Sequence, residues 1–135
     1  MMAMKDQENW EKSSDRLVAL FEDLAPQESA VTIRKMFGWP SGFVNGNLFM
    51  GLHKQSMIFR LPDSDRTEFL KVGGTGDFEP MPGRKMTGYV IMADPLDRKR
   101  EDLTYWIQRS LAFARTLPAK DNKGASTTKG KKVKR

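Results

Sequence analysis

Residues 43–49 have the sequence FVNGNLF, which is the strongest local structural signal in the chain. Its central Asn45-Gly46 pair stands between two runs of β-forming residues. Asn-Gly adopts the positive φ angles of a type I′ turn at low cost, so the stretch predicts a tight β-hairpin. Beyond the turn, residues 48–53 alternate between two strand faces, one with Leu48 and the other with His53.

Period-two alternation continues on both sides of this hairpin. Upstream, residues 31–36 alternate apolar and polar side chains and predict a first strand that ends at Met36 or Phe37. Residues 38–42, GWPSG, have the composition of a turn. Downstream, residues 54–55 turn the chain into a strand over residues 56–61. The sequence therefore predicts a three- or four-stranded antiparallel meander.

Helical spacing of apolar residues surrounds the meander. A first helix is predicted over residues 6–25 and ends at Pro26, because proline cannot continue the hydrogen-bond ladder. A short second helix begins at residues 62–65, where acidic and capping side chains favour a start, and stops at residues 73–74, Gly-Gly. A last helix opens at residues 94–95 and ends near residues 117–118. Its apolar face consists of Leu103, Trp106, Ile107, Ser110, Leu111 and Ala114.

The order of these elements predicts the fold class. Residues 75–85 are expected to be irregular, and residues 86–93 to form a strand. Helices do not separate every pair of strands, so we expect an α+β fold, not a doubly wound sheet. The expected architecture is an antiparallel meander sheet with the N- and C-terminal helices packed on one face.

The net charge of +6 is confined to the end of the chain. Residues 120–135 hold seven Lys or Arg against Asp121, whereas residues 1–119 hold 16 basic and 16 acidic residues. We expect a folded domain over residues 1–118 and a disordered basic tail over residues 119–135, because the tail has too few apolar residues to offset its ordering entropy. The tail favours phosphate contact or simple solvation, and both interpretations stay open. Its cations near the end are Lys129, Lys131, Lys132, Lys134 and Arg135.

Composition excludes many enzyme classes. The chain has no Cys and one His, so Cys-ligated and multi-histidine metal centres are excluded, and we expect no metal and no cofactor. His53 lacks a neighbouring carboxylate that would orient it for catalysis. An enzyme that uses His53, Glu79 and Arg84 is a remote alternative, and we expect no catalytic residue. Without a signal segment or a membrane span, we expect a cytoplasmic protein.

Two short segments are candidates for contact with partners. Residues 78–84, FEPMPGR, contain two prolines and Gly83, and they present Arg84 and Lys85 to a phosphate or carboxylate, or only cross the sheet. Residues 36–40, MFGWP, offer Phe37 and Trp39 either to a protein partner or to the core and sheet edge.

The ordered set of motifs resembles the N-terminal domain of the TfoX/Sxy family over about residues 8–118. It comprises RKMFG at 34–38, FVNGNLF at 43–49 with Gly51-Leu52, Arg60-Leu61, FEPMPGR at 78–84 and AFARTLP at 112–118. The resemblance implies an α+β domain of the secretion-chaperone-like or YjbR-like kind, without catalytic residues.

The family includes bacterial regulators of natural competence that act with the transcription machinery. Longer members carry a second, C-terminal domain, and here a short basic tail stands in that place. We therefore expect a non-enzymatic regulatory or adaptor domain that contacts nucleic acid or the transcription machinery. The alternative is a protein–protein module that dimerises or holds a client. The sequence identifies no small-molecule substrate, and no membrane is expected as a partner.

Overall fold

The computed structural model describes residues 11–120 of the chain. Within this range helices and antiparallel strands occur in separate runs, which confirms the predicted α+β class. The elements are α1 (Asp15–Leu24), β1 (Val31–Met36), β2 (Trp39–Val44), β3 (Asn47–His53), β4 (Ser56–Arg60), α2 (Asp63–Phe69), β5 (Thr75–Asp77), β6 (Tyr89–Met92), a 3-10 turn (Pro95–Asp97) and α3 (Arg100–Arg115).

The strands of the described region form one antiparallel sheet in the order β1-β2-β3-β4-β6-β5. The first four strands follow one another in sequence and in space, as the predicted meander requires. At the β2–β3 turn, Asn45 has a φ of 52° and Gly46 a φ of 80°. Val44 pairs with Asn47 across this turn, which is the two-residue hairpin that Asn-Gly favours.

A β-bulge in β3 sets which side chains enter the core. Gly42 pairs with Met50 and Phe43 pairs with Leu48, so Phe49 is the extra residue of the hairpin. The bulge breaks the alternation of faces, and both Phe49 and Met50 belong to the core under the helices. β3 is therefore buried over six consecutive residues.

The three helices pack on one face of the sheet, which we call the helix face. Phe69 of α2 lies between Phe59 of β4 and Trp106 of α3, with ring centroids 5.6 and 5.0 Å away. Leu17 and Phe21 of α1 are fully buried in the same cluster. Each such side chain contributes about 1.5–3 kcal/mol through removal from water, so this face holds most of the stability.

The opposite face, which we call the loop face, is covered by residues 78–88, the covering loop. Phe78 accepts a hydrogen bond from the Met86 N–H at 2.9 Å and donates its own N–H to Tyr89 at 3.1 Å. These bonds fold the loop back over the sheet. Beneath it lies a second buried cluster of Phe43, Leu48, Ile58, Phe78 and Tyr89. The prediction of helices on one face holds, but the other face is also partly covered.

The first predicted helix is too long. α1 starts at Asp15 because the Ser14 Oγ accepts a hydrogen bond from the Leu17 N–H at 3.1 Å and caps the helix. Ser13 before it is held by the Lys54 carbonyl, which its hydroxyl contacts at 2.5 Å. Residues 6–10 of the predicted helix lie outside the described residues.

The predicted turn at residues 38–42 is wrong. The chain reverses over Phe37 and Gly38, with φ angles of 56° and 92°, and β2 already begins at Trp39. Because two residues with positive φ are enough to reverse the chain, the residues from Trp39 onward can pair with β1. The composition GWPSG concealed this, because Gly and Pro are typical of turns wherever they occur.

The boundaries of the later elements also differ from the prediction. Residues 75–77 are a strand, β5, which is too short to show an alternating pattern. The next strand is shortened to Tyr89–Met92, because the Tyr89 N–H closes a turn on Met86 at 3.1 Å. α2 ends at Phe69, well before residues 73–74, and has no side-chain cap at Pro62.

The last helix starts later than predicted. Asp94 adopts a left-handed φ of 53° and its side chain caps nothing. The residues after it form the 3-10 turn, and α3 begins at Arg100. Proline in a first turn is compatible with either helix type, so the sequence did not separate them.

Candidate functional site

Charge is segregated between the two layers of the fold. Residues 31–60, which contain β1 to β4, hold Arg34, Lys35, Lys54 and Arg60 and no Asp or Glu. Acidic side chains outnumber basic ones in α1 and α2, three against one in each helix, although α3 is net basic and Asp77 and Glu79 lie in β5 and the covering loop. Balanced totals over residues 1–119 hid this segregation, although the absence of acidic residues between positions 31 and 60 could have revealed it.

Two arginines lie over aromatic rings of the loop face. The Arg34 guanidinium is 4.0 Å from the centroid of Phe43, and the Arg60 guanidinium is 5.4 Å from that of Tyr89. Arg60 also lies 6.0 Å from the ring of Phe113 in α3. Such cation–π contacts contribute about 0.5–1 kcal/mol at exposed sites. They hold each guanidinium in place, and its N–H groups remain suited to a phosphate.

The covering loop presents Arg84 at its tip. The Arg84 N–H donates to the Met81 carbonyl at 2.8 Å, and Gly83 between them has a φ of 77°, which is typical of a type II turn. The Glu79 carboxylate accepts the Gly83 N–H and tightens the turn. Arg84 is exposed, and no carboxylate among residues 11–120 pairs with its side chain. Lys85 forms an exposed ion pair with Asp77 at 3.3 Å.

The chain leaves the domain beside the β2–β3 turn. The buried Asn47 side chain donates to the Pro118 carbonyl at 3.0 Å, and the Lys120 N–H donates to the Asn45 carbonyl at 2.7 Å. A Cβ on Gly46 would overlap the Lys120 carbonyl, so this turn must be glycine to admit the chain. Contacts with the domain thus continue to Lys120.

The tail cations Lys129, Lys131, Lys132, Lys134 and Arg135 lie outside the described residues. Lys120, the last described residue before them, lies at one end of the sheet. At the same end, Tyr89 donates its hydroxyl to the Leu48 carbonyl at 3.2 Å. Arg60 stacks on that same Tyr89. The polybasic tail therefore begins next to the basic loop face.

A cavity of about 310 Å³ opens between the covering loop and the β1–β2 turn. Trp39 lies in its wall with an exposed fraction of 8% and donates its indole N–H to the Glu11 carbonyl at 2.8 Å. Phe37 also lines the cavity and is 79% exposed. Of the two predicted partner-contact residues, only Phe37 presents a large outer surface.

His53 lies inside this cavity. Its ring centroid is 4.7 Å from that of Trp39 and 5.0 Å from that of Phe78. Burial lowers the pKa of His53 below its ordinary value of 6.5, and the neighbouring Lys54 adds to the effect. Glu79 and Arg84 do not line the cavity, so the three residues of the remote enzymatic alternative are not gathered there.

The described region contains neither a metal-binding cluster nor a membrane-spanning helix. No three His, Asp or Glu side chains within residues 11–120 converge to hold a metal ion. No helix in the same range is both long and apolar enough to cross a bilayer.

The fold and its basic face define a small α+β domain whose open sheet carries stacked arginines. The family profile described as the TfoX N-terminal domain matches residues 22–114, and the chain belongs to that family. A search of curated proteins and a search of solved structures each returned no match.

Proposed function

We propose that this chain is a non-enzymatic regulatory or adaptor domain that binds the phosphate backbone of nucleic acid. Binding would use a composite basic surface, made of the tail from residue 120 onward and the stacked arginines of the loop face. The transcription machinery is the partner that such a regulatory role suggests, and membership of the TfoX N-terminal domain family supports that role.

The observation that carries the proposal is where the tail starts. The Asn47 side chain binds the Pro118 carbonyl and the Asn45 carbonyl binds the Lys120 N–H, beside the end of the sheet that carries Arg60. Six further cations follow Lys120, opposed by Asp121 alone. A tail that started beside the acidic helices α1 and α2 would be attracted to its own domain, whereas this one starts beside the basic residues of the loop face.

The expected binding is electrostatic and independent of base sequence. Each phosphate neutralised changes the slope of log K against log salt by about −0.9 on duplex DNA. Six tail contacts alone would weaken binding about 10³-fold between roughly 50 and 200 mM salt. Phe43 and Tyr89 are 6% and 8% exposed, so base stacking on these rings is not part of the proposal.

The test is fluorescence anisotropy with labelled duplex DNA and duplex RNA, over a salt series, on the full chain. A variant of the same length has Gln in place of Lys123, Lys129, Lys131, Lys132, Lys134 and Arg135. We expect the wild type to bind with a steep salt dependence. The variant should bind more weakly and with a shallower salt dependence, because only the loop face then contributes. Absence of binding by the wild type near physiological salt would refute the proposal.

The edge strand β1 favours a second candidate function, self-association or capture of an extended segment. β1 lies at one end of the sheet, and Ile33 in its middle is 41% exposed. An exposed edge strand can pair with another strand, although the charged Arg34 and Lys35 disfavour such pairing at this edge. This function is tested by measuring the molar mass of the wild type and of Ile33→Lys by light scattering. A dimeric wild type and a monomeric variant would support it, whereas a monomeric wild type at high concentration would rule out self-association.

A further inference from the structure

The cavity beneath the covering loop has the features of a binding site. Its volume of about 310 Å³ lies at the lower end of the range of roughly 300–1,000 Å³ that is usual for small-molecule sites. Three elements enclose it: the β1–β2 turn, the ends of β3 and β4, and the covering loop. The side chains that define it include Met36, Trp39, His53, Phe78, Met81 and Met86.

The lining determines the chemistry of an occupant. No Lys, Arg, Asp or Glu of the described region lines the cavity, so a charged group placed there would lose hydration without a partner. The rings of Trp39 and Phe78 both contact the His53 ring and provide aromatic surfaces. Met36, Met81 and Met86 are flexible and polarisable, which suits contact with a ring of variable shape.

A single side chain is left to recognise a polar atom. The Trp39 indole N–H is already donated to the Glu11 carbonyl. Among the lining side chains this leaves the His53 imidazole to exchange a hydrogen bond with an occupant. Burial lowers the pKa of His53 and so favours its neutral form, in which the imidazole offers one donor and one acceptor.

We propose that this cavity binds a small, uncharged aromatic molecule that carries one hydroxyl or N–H group. The ring lies among the methionines, Trp39 and Phe78, and the polar group meets His53. This site is separate from the basic surface, and the inference does not depend on nucleic-acid binding.

The experiment uses the full chain with ¹³C-labelled methionine methyl groups, observed by NMR. Three probes of matched shape are 4-methylphenol, toluene and the anion 4-methylbenzoate. We expect 4-methylphenol to shift the methyl resonances of Met36, Met81 and Met86. Met50 and Met57 are fully buried on the helix face and serve as internal controls that should not move.

The relative affinities of the three probes show which chemical group the cavity prefers. We expect 4-methylphenol to bind up to about tenfold more tightly than toluene, the worth of one hydrogen bond, and 4-methylbenzoate to bind most weakly. His53→Phe should abolish the preference for the phenol and leave toluene binding in place. Met86→Trp should fill the cavity and weaken both at least about tenfold. Leu96→Trp, at an exposed leucine outside the cavity, should change neither.

Three results would overturn the proposal. One is the absence of any methyl shift with all three probes, as when another part of the chain fills the cavity. Another is tightest binding of the anion, which would indicate a charged site. The third is unchanged affinity in Met86→Trp while Met50 and Met57 keep their native resonances, because the fold would then be intact and the cavity irrelevant.

Discussion

Replacing Asn47 by alanine tests how the domain holds the start of the basic tail. The Asn47 side chain is 1% exposed, and its Nδ2 donates to the Pro118 carbonyl at 3.0 Å. Asn47→Ala removes this bond and leaves the carbonyl without its donor. The cost of such an unsatisfied group is about 1–3 kcal/mol. With a urea m-value of about 2 kcal/mol per molar, the unfolding midpoint should fall by roughly 0.5–1.5 M.

The assay is urea unfolding followed by tryptophan fluorescence, together with amide exchange at Lys120. The Lys120 N–H, which is held by the Asn45 carbonyl, should lose protection in Asn47→Ala. Gln108→Ala is the matched control, since Gln108 is an exposed amide on α3 and its loss should leave the midpoint unchanged. An Asn47→Ala midpoint equal to that of the wild type, with Lys120 still protected, would refute the anchor.

Three further predictions concern stability, each measured by urea unfolding. Burial lowers the pKa of His53 below 6.5, so the folded state binds this proton less tightly than the unfolded state. The urea midpoint should therefore decrease as the pH is lowered from about 7.5 through 6.5, and it should decrease less in His53→Gln. Gly83→Ala, at a φ of 77°, should cost about 1–2 kcal/mol, whereas Gly76→Ala, equally open but without positive φ, should cost less; equal costs would contradict the strained turn. Ser110→Ala removes a buried hydroxyl without a partner in the described region and should stabilise by about 0.5–1 kcal/mol, whereas Ser41→Ala loses a bond to the Trp39 carbonyl and should destabilise.

Strong local chemistry made much of the fold predictable. Asn45-Gly46 requires positive φ at two adjacent positions, and few turns other than a type I′ hairpin satisfy it. The spacing of apolar residues in α3 likewise has one helical solution. Where several structures suit one composition, as in GWPSG at residues 38–42, the sequence interpretation was wrong. The pairing with β1 determines that residues 39–42 form a strand, and no local sequence pattern indicates this pairing.

The candidate site was predicted in part for the same reason. The type II turn at Gly83 and the exposure of Arg84 follow from Pro-Gly chemistry, which acts locally. The stacking of Arg34 on Phe43 and the enclosure of His53 by Trp39 and Phe78 depend on contacts between distant segments. A bulge at Phe49 also shifts the register of the hairpin by one residue, which alternation alone does not foresee.

Whether the basic loop face acts together with the tail can be tested by removing three positive charges either from the loop face or from elsewhere on the domain. One full-length variant carries Gln at Arg34, Arg60 and Arg84, and its control carries Gln at Arg16, Lys71 and Lys99, three exposed cations outside the loop face. Anisotropy with duplex DNA over a salt series gives the slope for each. We expect the slope to be shallower by up to about 2.7 in the loop-face variant and little changed in the control. Equal slopes in both variants would contradict this expectation, because net charge rather than the loop face would then govern binding.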